Sequence, residues 1–152
     1  VQRFRGVSNL SLDAKGRIVL PARYRERLVE ICDSQLVITI DTEQPCLLIY
    51  PLNEWESIEE KIESLPSFNP VARRIQRLLI GHATDVEVDN NGRMLLSNPL
   101  REYAQLGKKV VLIGQGKKFE LWDEVVWGQR MEEWLADKTG GDLPEALAEL
   151  IL

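Results

Sequence analysis

Histidine occurs once in the 152 residues, cysteine and methionine twice each, and aromatic residues make up only 7% of the chain. Cys32 and Cys46 stand in no metal-ligand spacing and are too few to staple a chain of this length, so both read as reduced filler and no metal is expected. The lone His82, beside Gly81, reads as a packed or capping residue rather than a base. No nucleophile, base and orienting group fall into a recognisable motif, which points away from an enzyme, a cofactor or a small-molecule substrate. No segment carries the unbroken apolar run of a membrane helix, and Val1 to Arg5 lack the stretch of a secretory signal, so the expectation is a cytoplasmic protein without a membrane partner. Gly114-Gln115-Gly116-Lys117-Lys118 imitates a phosphate loop. It lacks the longer spacing and the Ser or Thr that would hold magnesium, which makes it a hairpin turn.

Excess positive charge is also missing. Nineteen Lys and Arg face 24 Asp and Glu, a net charge of -5, which by itself argues against a polyanionic partner. The distribution reverses that inference. Residues 1 to 28 hold seven cations against Asp13 and Glu26, a local +5, leaving -10 for the remainder. A basic patch on an acidic body discourages indiscriminate coating of nucleic acid while keeping one binding surface.

What the sequence does have is a repeat. Asp13-Ala14-Lys15-Gly16-Arg17-Ile18-Val19-Leu20 aligns with Asp89-Asn90-Asn91-Gly92-Arg93-Met94-Leu95-Leu96, and at the same offset Arg25-Glu26 meets Arg101-Glu102. The register then shortens by four residues, after which Tyr50 matches Trp122 and Trp55 matches Trp127. The pattern predicts an α+β fold of two repeated small β-rich units related by a pseudo-two-fold axis. A first unit would occupy 1–66, a linking helix 67–82, a second unit 83–137 and a helical tail 138–152.

Each copy reads as strand, tight turn, strand, short helix, strand, turn, strand, longer helix. Val7 to Leu12 and Arg17 to Leu20 flank a turn whose Gly16 tolerates positive φ, predicting a hairpin, and Pro21 sits where a first helical residue belongs. Leu36 to Ile40 with Cys46 to Tyr50, and Val110 to Ile113 with Lys118 to Trp122, predict two further hairpins. Asn53 with Glu56 suggests a capping box ahead of the stripe Trp55, Ile58, Ile62 and Leu65. Asn69-Pro70 opens the linking helix, Asn98-Pro99 starts a short helix ended by Gly107, and Asp123 caps the last long one. The four tryptophans lie at apolar positions, as core or interface.

The Asp-x-x-x-Arg pair is the sharpest feature. Its plain reading is a small surface ion pair of little energetic weight beside a turn-closing glycine. The alternative is that each turn lifts an arginine, Arg17 or Arg93, whose planar fork grips a phosphate or bonds guanine O6 and N7 together, while Asp13, Gly16, Asp89 and Gly92 shape the turns. Recurrence inside a longer matching frame favours the alternative. Arg23, Arg25 and Arg27 lie on a helix whose usual fate is a solvated face. Arg73, Arg74 and Arg77 fit ion pairing with Glu56, Glu59, Glu60 and Glu63 better than contact with nucleic acid.

Phe4-Arg5-Gly6, Leu12 to Arg17, Pro21 to Glu26 and Gly81-His82-Ala83 together resemble the MraZ family, whose two halves are similar to AbrB-like DNA-binding units, over nearly the whole chain. The resemblance implies a transcriptional regulator that assembles as a homo-oligomeric ring. It would repress its own operon of cell-division and wall-synthesis genes by binding tandem short G-rich boxes of double-stranded DNA at the nucleoid. Carried onto this chain, it makes Arg17 and Arg93 the DNA-contacting residues, with Lys15 and Arg5 supporting them electrostatically and Asn91 counted in the DNA-binding set. Asn91 stands where the first copy has Lys15, so the second turn is the less basic. A protein-interaction ring that never touches DNA, and an enzyme built around His82, are the rival classes.

Overall fold

The structure, a computed structural model, describes residues 3–137. The helical tail expected over 138–152 lies outside them. Two half-chains follow one another in matching order. The first comprises β1 (Phe4–Ser11), β2 (Arg17–Val19), α1 (Ala22–Cys32), β3 (Gln35–Ile40), β4 (Leu47–Pro51) and α2 (Leu52–Glu63). A linking segment, α3 (Pro70–Ile75), runs on as a wide π-type turn over Gln76–Ile80. The second comprises β5 (Thr84–Glu87), β6 (Arg93–Leu95), α4 (Asn98–Tyr103), β7 (Lys109–Gly116), β8 (Phe119–Asp123) and α5 (Glu124–Ala136). This is the α+β duplication read from the sequence.

The two halves interleave. A six-stranded antiparallel sheet runs in the order β1-β7-β8-β4-β3-β5, so that each half's first strand lies beside the other half's third, β1 on β7 and β5 on β3. The second strands leave the sheet and pair with each other as a separate ribbon, β2–β6. The hairpin expected from residues 7 to 20 is therefore not a ladder. The turn forms, but its two arms find partners in the other half. Length explains why. β1 is eight residues long, and β7 matches all eight from Phe4 opposite Gly116 to Ser11 opposite Lys109. β2 has three residues before Pro21 and would leave most of β1 unpaired. The hairpins β3–β4 and β7–β8 form as expected, with Gln115 N–H closing the second onto Lys118.

Alternation along the central strands sorts their side chains onto two covered faces. Leu36, Ile38, Ile40, Val110 and Leu112 face a main core closed by Ile18 and Met94 of the ribbon and by Tyr24, Leu28 and Leu100 of the short helices. On the other face α2 covers Val37 and Tyr50 with Trp55, and α5 covers Val111, Ile113 and Trp122 with Trp127. Of the tryptophans, Trp55 and Trp122 are core, whereas Trp134 stays exposed at the edge of an edge-to-face cluster with Trp122 and Trp127.

Helix ends differ from expectation in three places. Pro51 occupies the cap position of α2, which puts Asn53 inside the helix, and no capping box forms. Pro21 likewise is the cap of α1 rather than its first residue. The residue that turns left-handed after α4 is Gln105, at φ 55°, and Gly107 lies beyond it with its N–H donated to Asp123. Asn69 and Asp123 cap α3 and α5 as anticipated, each accepting two backbone N–H groups. The linking segment is anchored by the fully buried Thr39, whose hydroxyl donates to the Leu79 carbonyl at 2.6 Å. Among the described residues, Arg73, Arg74 and Arg77 form no ion pair with the glutamates of α2.

Candidate nucleic-acid interface

The two Asp-x-x-x-Arg turns have one geometry. In the first, Asp13 Oδ1 accepts the backbone N–H of Lys15 and of Arg17, both at 2.9 Å, while Oδ2 accepts Arg17 Nε at 2.8 Å. In the second, Asp89 Oδ1 accepts Asn91 N–H at 2.9 Å and Arg93 N–H at 2.8 Å, and Oδ2 accepts Arg93 Nε at 2.9 Å. Both turns are closed by backbone bonds from Asp13 to Arg17 and from Asp89 to Arg93. Gly16 and Gly92 adopt φ of 81° and 76°, a region that costs any residue with a Cβ. The backbone N–H groups of Arg17 and Arg93, aided by their side chains, hold the Asp13 and Asp89 carboxyls below the usual aspartate range.

Each aspartate uses only the Nε edge of its arginine. The Nη edges of Arg17 and Arg93 have no protein partner among the described residues, and each partly exposed guanidinium is held through its Nε side. The ribbon fixes where these forks sit. Arg17 pairs opposite Leu95, Ile18 opposite Met94, and Val19 opposite Arg93. Two residues along one strand and one strand across put the Arg17 and Arg93 Cα atoms about 8 Å apart. Alternation sends Ile18 and Met94 into the core, both at 0% exposure. The opposite face of the ribbon consists of Arg17, Val19, Arg93 and Leu95, with Val19 and Leu95 exposed at 50% and 54%.

Of the residues singled out in the sequence, Lys15, Arg17, Asn91 and Arg93 thus belong to one pseudo-symmetric surface, with Asp13, Gly16, Asp89 and Gly92 holding it. Arg5 does not join them. It is exposed on β1, opposite Gln115, and eight residues of nearly continuous strand before Asp13 amount to roughly 25 Å. The sequence reading missed Val19 and Leu95, although period-two alternation around Ile18 and Met94 carries the signal. The solvated helix face expected for Arg25 is not what forms: Arg25 and its repeat counterpart Arg101 both lie against the turns.

Elsewhere the chemistry is sparse. His82 Nδ1–H donates to the Leu78 carbonyl at 2.8 Å, a capping role at the end of the linking segment. Asp41, Cys46 and Glu120 bring their ligand atoms within 4.8 Å of one another. Burial, reinforced by the Glu120 and Asp41 charges, pushes the Cys46 thiol far above the ordinary range, so it stays protonated and is a poor ligand. No helix among the described residues is long and apolar enough to cross a membrane.

Comparison with known proteins agrees with the internal repeat. The family model for the MraZ protein matches the chain twice, at residues 3–78 and 79–139. A protein of Coxiella burnetii named transcriptional regulator MraZ is 57% identical over 151 residues, covering 98% of this chain and 99% of that protein. Proteins of the same name from Alkalilimnicola ehrlichii and Pseudomonas aeruginosa are each 54% identical, over 149 and 150 residues, with equal coverage.

Proposed function

This chain belongs to the MraZ family, and from that premise we propose that it is a transcriptional regulator that reads double-stranded DNA with the β2–β6 ribbon. The family is one of regulators rather than enzymes. The observation that carries the proposal is the shared outer face of Arg17, Val19, Arg93 and Leu95. A two-stranded ribbon fits the major groove, where arginine forks pair with guanine and small apolar side chains meet thymine methyls. Lys15, next to the first fork, would fix register on phosphate, with Asn91 in its place at the second. Arg5 would add charge at a distance.

A single chain offers few cations on this surface and carries a net charge of -5, so one copy gives weak, non-selective attraction. Assembly into a homo-oligomeric ring multiplies the ribbons, and tandem G-rich boxes let successive ribbons engage at high effective concentration. On this reading the protein binds upstream of its own cell-division and wall-synthesis operon and represses it. The test is a footprint of the purified protein on its own upstream DNA with native mass measured in parallel. Protected repeats at a fixed spacing with a multi-subunit mass support the reading, and no protection at moderate salt overturns it.

A further inference from the structure

Gly16 and Gly92 are buried although both sit in turns at the surface. What covers each is an arginine from the other half of the chain. A Cβ on Gly16 would meet the Arg101 guanidinium, with Cζ at 2.8 Å and Nε at 2.9 Å. A Cβ on Gly92 would meet Arg25, with Cδ at 2.3 Å and Nη1 at 2.5 Å. Backbone bonds cross in the same sense: Leu96 N–H donates to the Gly16 carbonyl and Leu20 N–H to the Gly92 carbonyl, both at 2.9 Å. Matching clefts flank the two contacts. One lies between Arg25, Glu26 and the turn residues Asp89 and Asn90, the other between Arg101, Leu106 and the turn residues Asp13 and Ala14.

We propose that Arg25 and Arg101 are positioning residues for the DNA-facing turns and that they act crosswise. Arg101 seats the turn that carries Arg17, and Arg25 seats the turn that carries Arg93. This deepens the DNA-binding reading above and rests on it for its functional consequence. A flat guanidinium is suited to the task, because it packs against a peptide face that only glycine leaves open and brings positive charge beneath the turn. The two seats are not equally firm. Arg101 is itself pinned, its Nε donating to the Leu96 carbonyl at 3.1 Å and its Nη2 to the Asn98 side chain. In the first half Ala22 stands at the position of Asn98, and the buried Nε of Arg25 has no hydrogen-bond partner among the described residues. The first turn, which also carries Lys15, is thus the better held of the two.

The test uses the full chain, with amide spectra recorded without DNA and affinity measured on its own upstream duplex. Arg101→Ala is expected to shift or broaden the amides of 13–17 and spare those of 89–93, and Arg25→Ala to do the reverse. In affinity, Arg101→Ala costs about tenfold in the wild-type or Arg93→Ala background and little in the Arg17→Ala background, because it acts through Arg17. Arg101→Lys keeps the charge without the plane and is not expected to restore binding; it also serves for the spectra if the alanine variant does not fold. Shifts confined to a variant's own half, equal losses in both backgrounds, or full rescue by lysine would each overturn the proposal. If Arg17→Ala itself leaves affinity unchanged, the DNA-binding reading falls, and the DNA-free spectra still decide whether the seats are crossed.

Discussion

Replacing Arg17 by alanine separates the roles that one side chain combines. The side chain contributes an Nη edge, with no protein partner among the described residues, and an Nε bond to Asp13. Loss of the second is small in its effect on folding, because the pair is partly exposed and Asp13 still accepts the backbone N–H groups of residues 15 and 17. The thermal midpoint should therefore hold. Loss of the first removes one bidentate contact, about 1–3 kcal/mol per engaged ribbon if it reads a base, or roughly 5- to 150-fold in affinity. In an assembly that engages several boxes the losses compound. A salt series distinguishes the two modes of contact. If Arg17 neutralises a phosphate, the slope of log K against log salt falls by about 0.9 per site and all sequences weaken alike. If it reads guanine, discrimination between operator and scrambled duplex collapses. Fluorescence anisotropy on both duplexes at several salt concentrations measures all of this. Unchanged affinity and slope in a folded variant would refute the assignment of the ribbon as the DNA-contacting element.

Four further outcomes follow from the geometry. Gly16→Ala and Gly92→Ala each place a methyl on a left-handed residue against a guanidinium, and each should cost at least about 1–2 kcal/mol by chemical denaturation; equal stability to wild type would contradict the described turns. Thr39→Val removes the donor to a part-buried carbonyl and should cost about 1–3 kcal/mol, seen as a lower urea midpoint at constant m. Asp13 and Asp89 are held below their ordinary value of 3.8, so their contribution to stability is complete above that value and is lost as pH falls through the lower folded values; carbon-detected titration showing midpoints at or above 3.8 would break the account. Cys46, buried and kept protonated, should resist alkylation in the native protein and react only on unfolding, as mass spectrometry of the labelled chain would show.

The turns were legible because their chemistry is local. Asp13 bonds residues two and four ahead, and Gly16 answers a demand of its own φ, so a stretch of five residues contains the whole instruction. The apolar runs of β3, β4, β7 and β8 were legible for a related reason, since adjacent hairpin strands are close in sequence. The partners of β1 and β2 were not. A ladder between Phe4 and Gly116 leaves no mark within either segment, and the tight turn between β1 and β2 advertises a hairpin that the other half intercepts. The same non-locality hid Arg25 and Arg101. On their own helices they look like ordinary solvated cations, and only the crossed packing brings them onto glycines 67 and 85 residues away in sequence. Arg5 shows the same limit from the other side: its charge is visible in the sequence, but its distance from the turns is not.

Interleaving also explains what duplication within one chain makes possible. If two identical copies exchanged strands in this way, both turns would be constrained to the same residues, and any change that loosened one seat would loosen the other. Joined covalently through α3 and the turn that follows it, the two copies keep the shared ribbon and the 8 Å scale of separation between arginines, yet each position is free to differ. The chain uses that freedom at matched sites. Lys15 corresponds to Asn91, Ala22 to Asn98, and Arg25, whose Nε has no partner among the described residues, to a pinned Arg101. All three differences lie at the turns or their seats, whereas the buried pair that backs the ribbon, Ile18 and Met94, differs in kind but not in burial. What the two halves share in the layer behind the ribbon is burial rather than identity, since Leu12 and Val88, Tyr24 and Leu100, and Leu28 and Ala104 also differ while all stay buried.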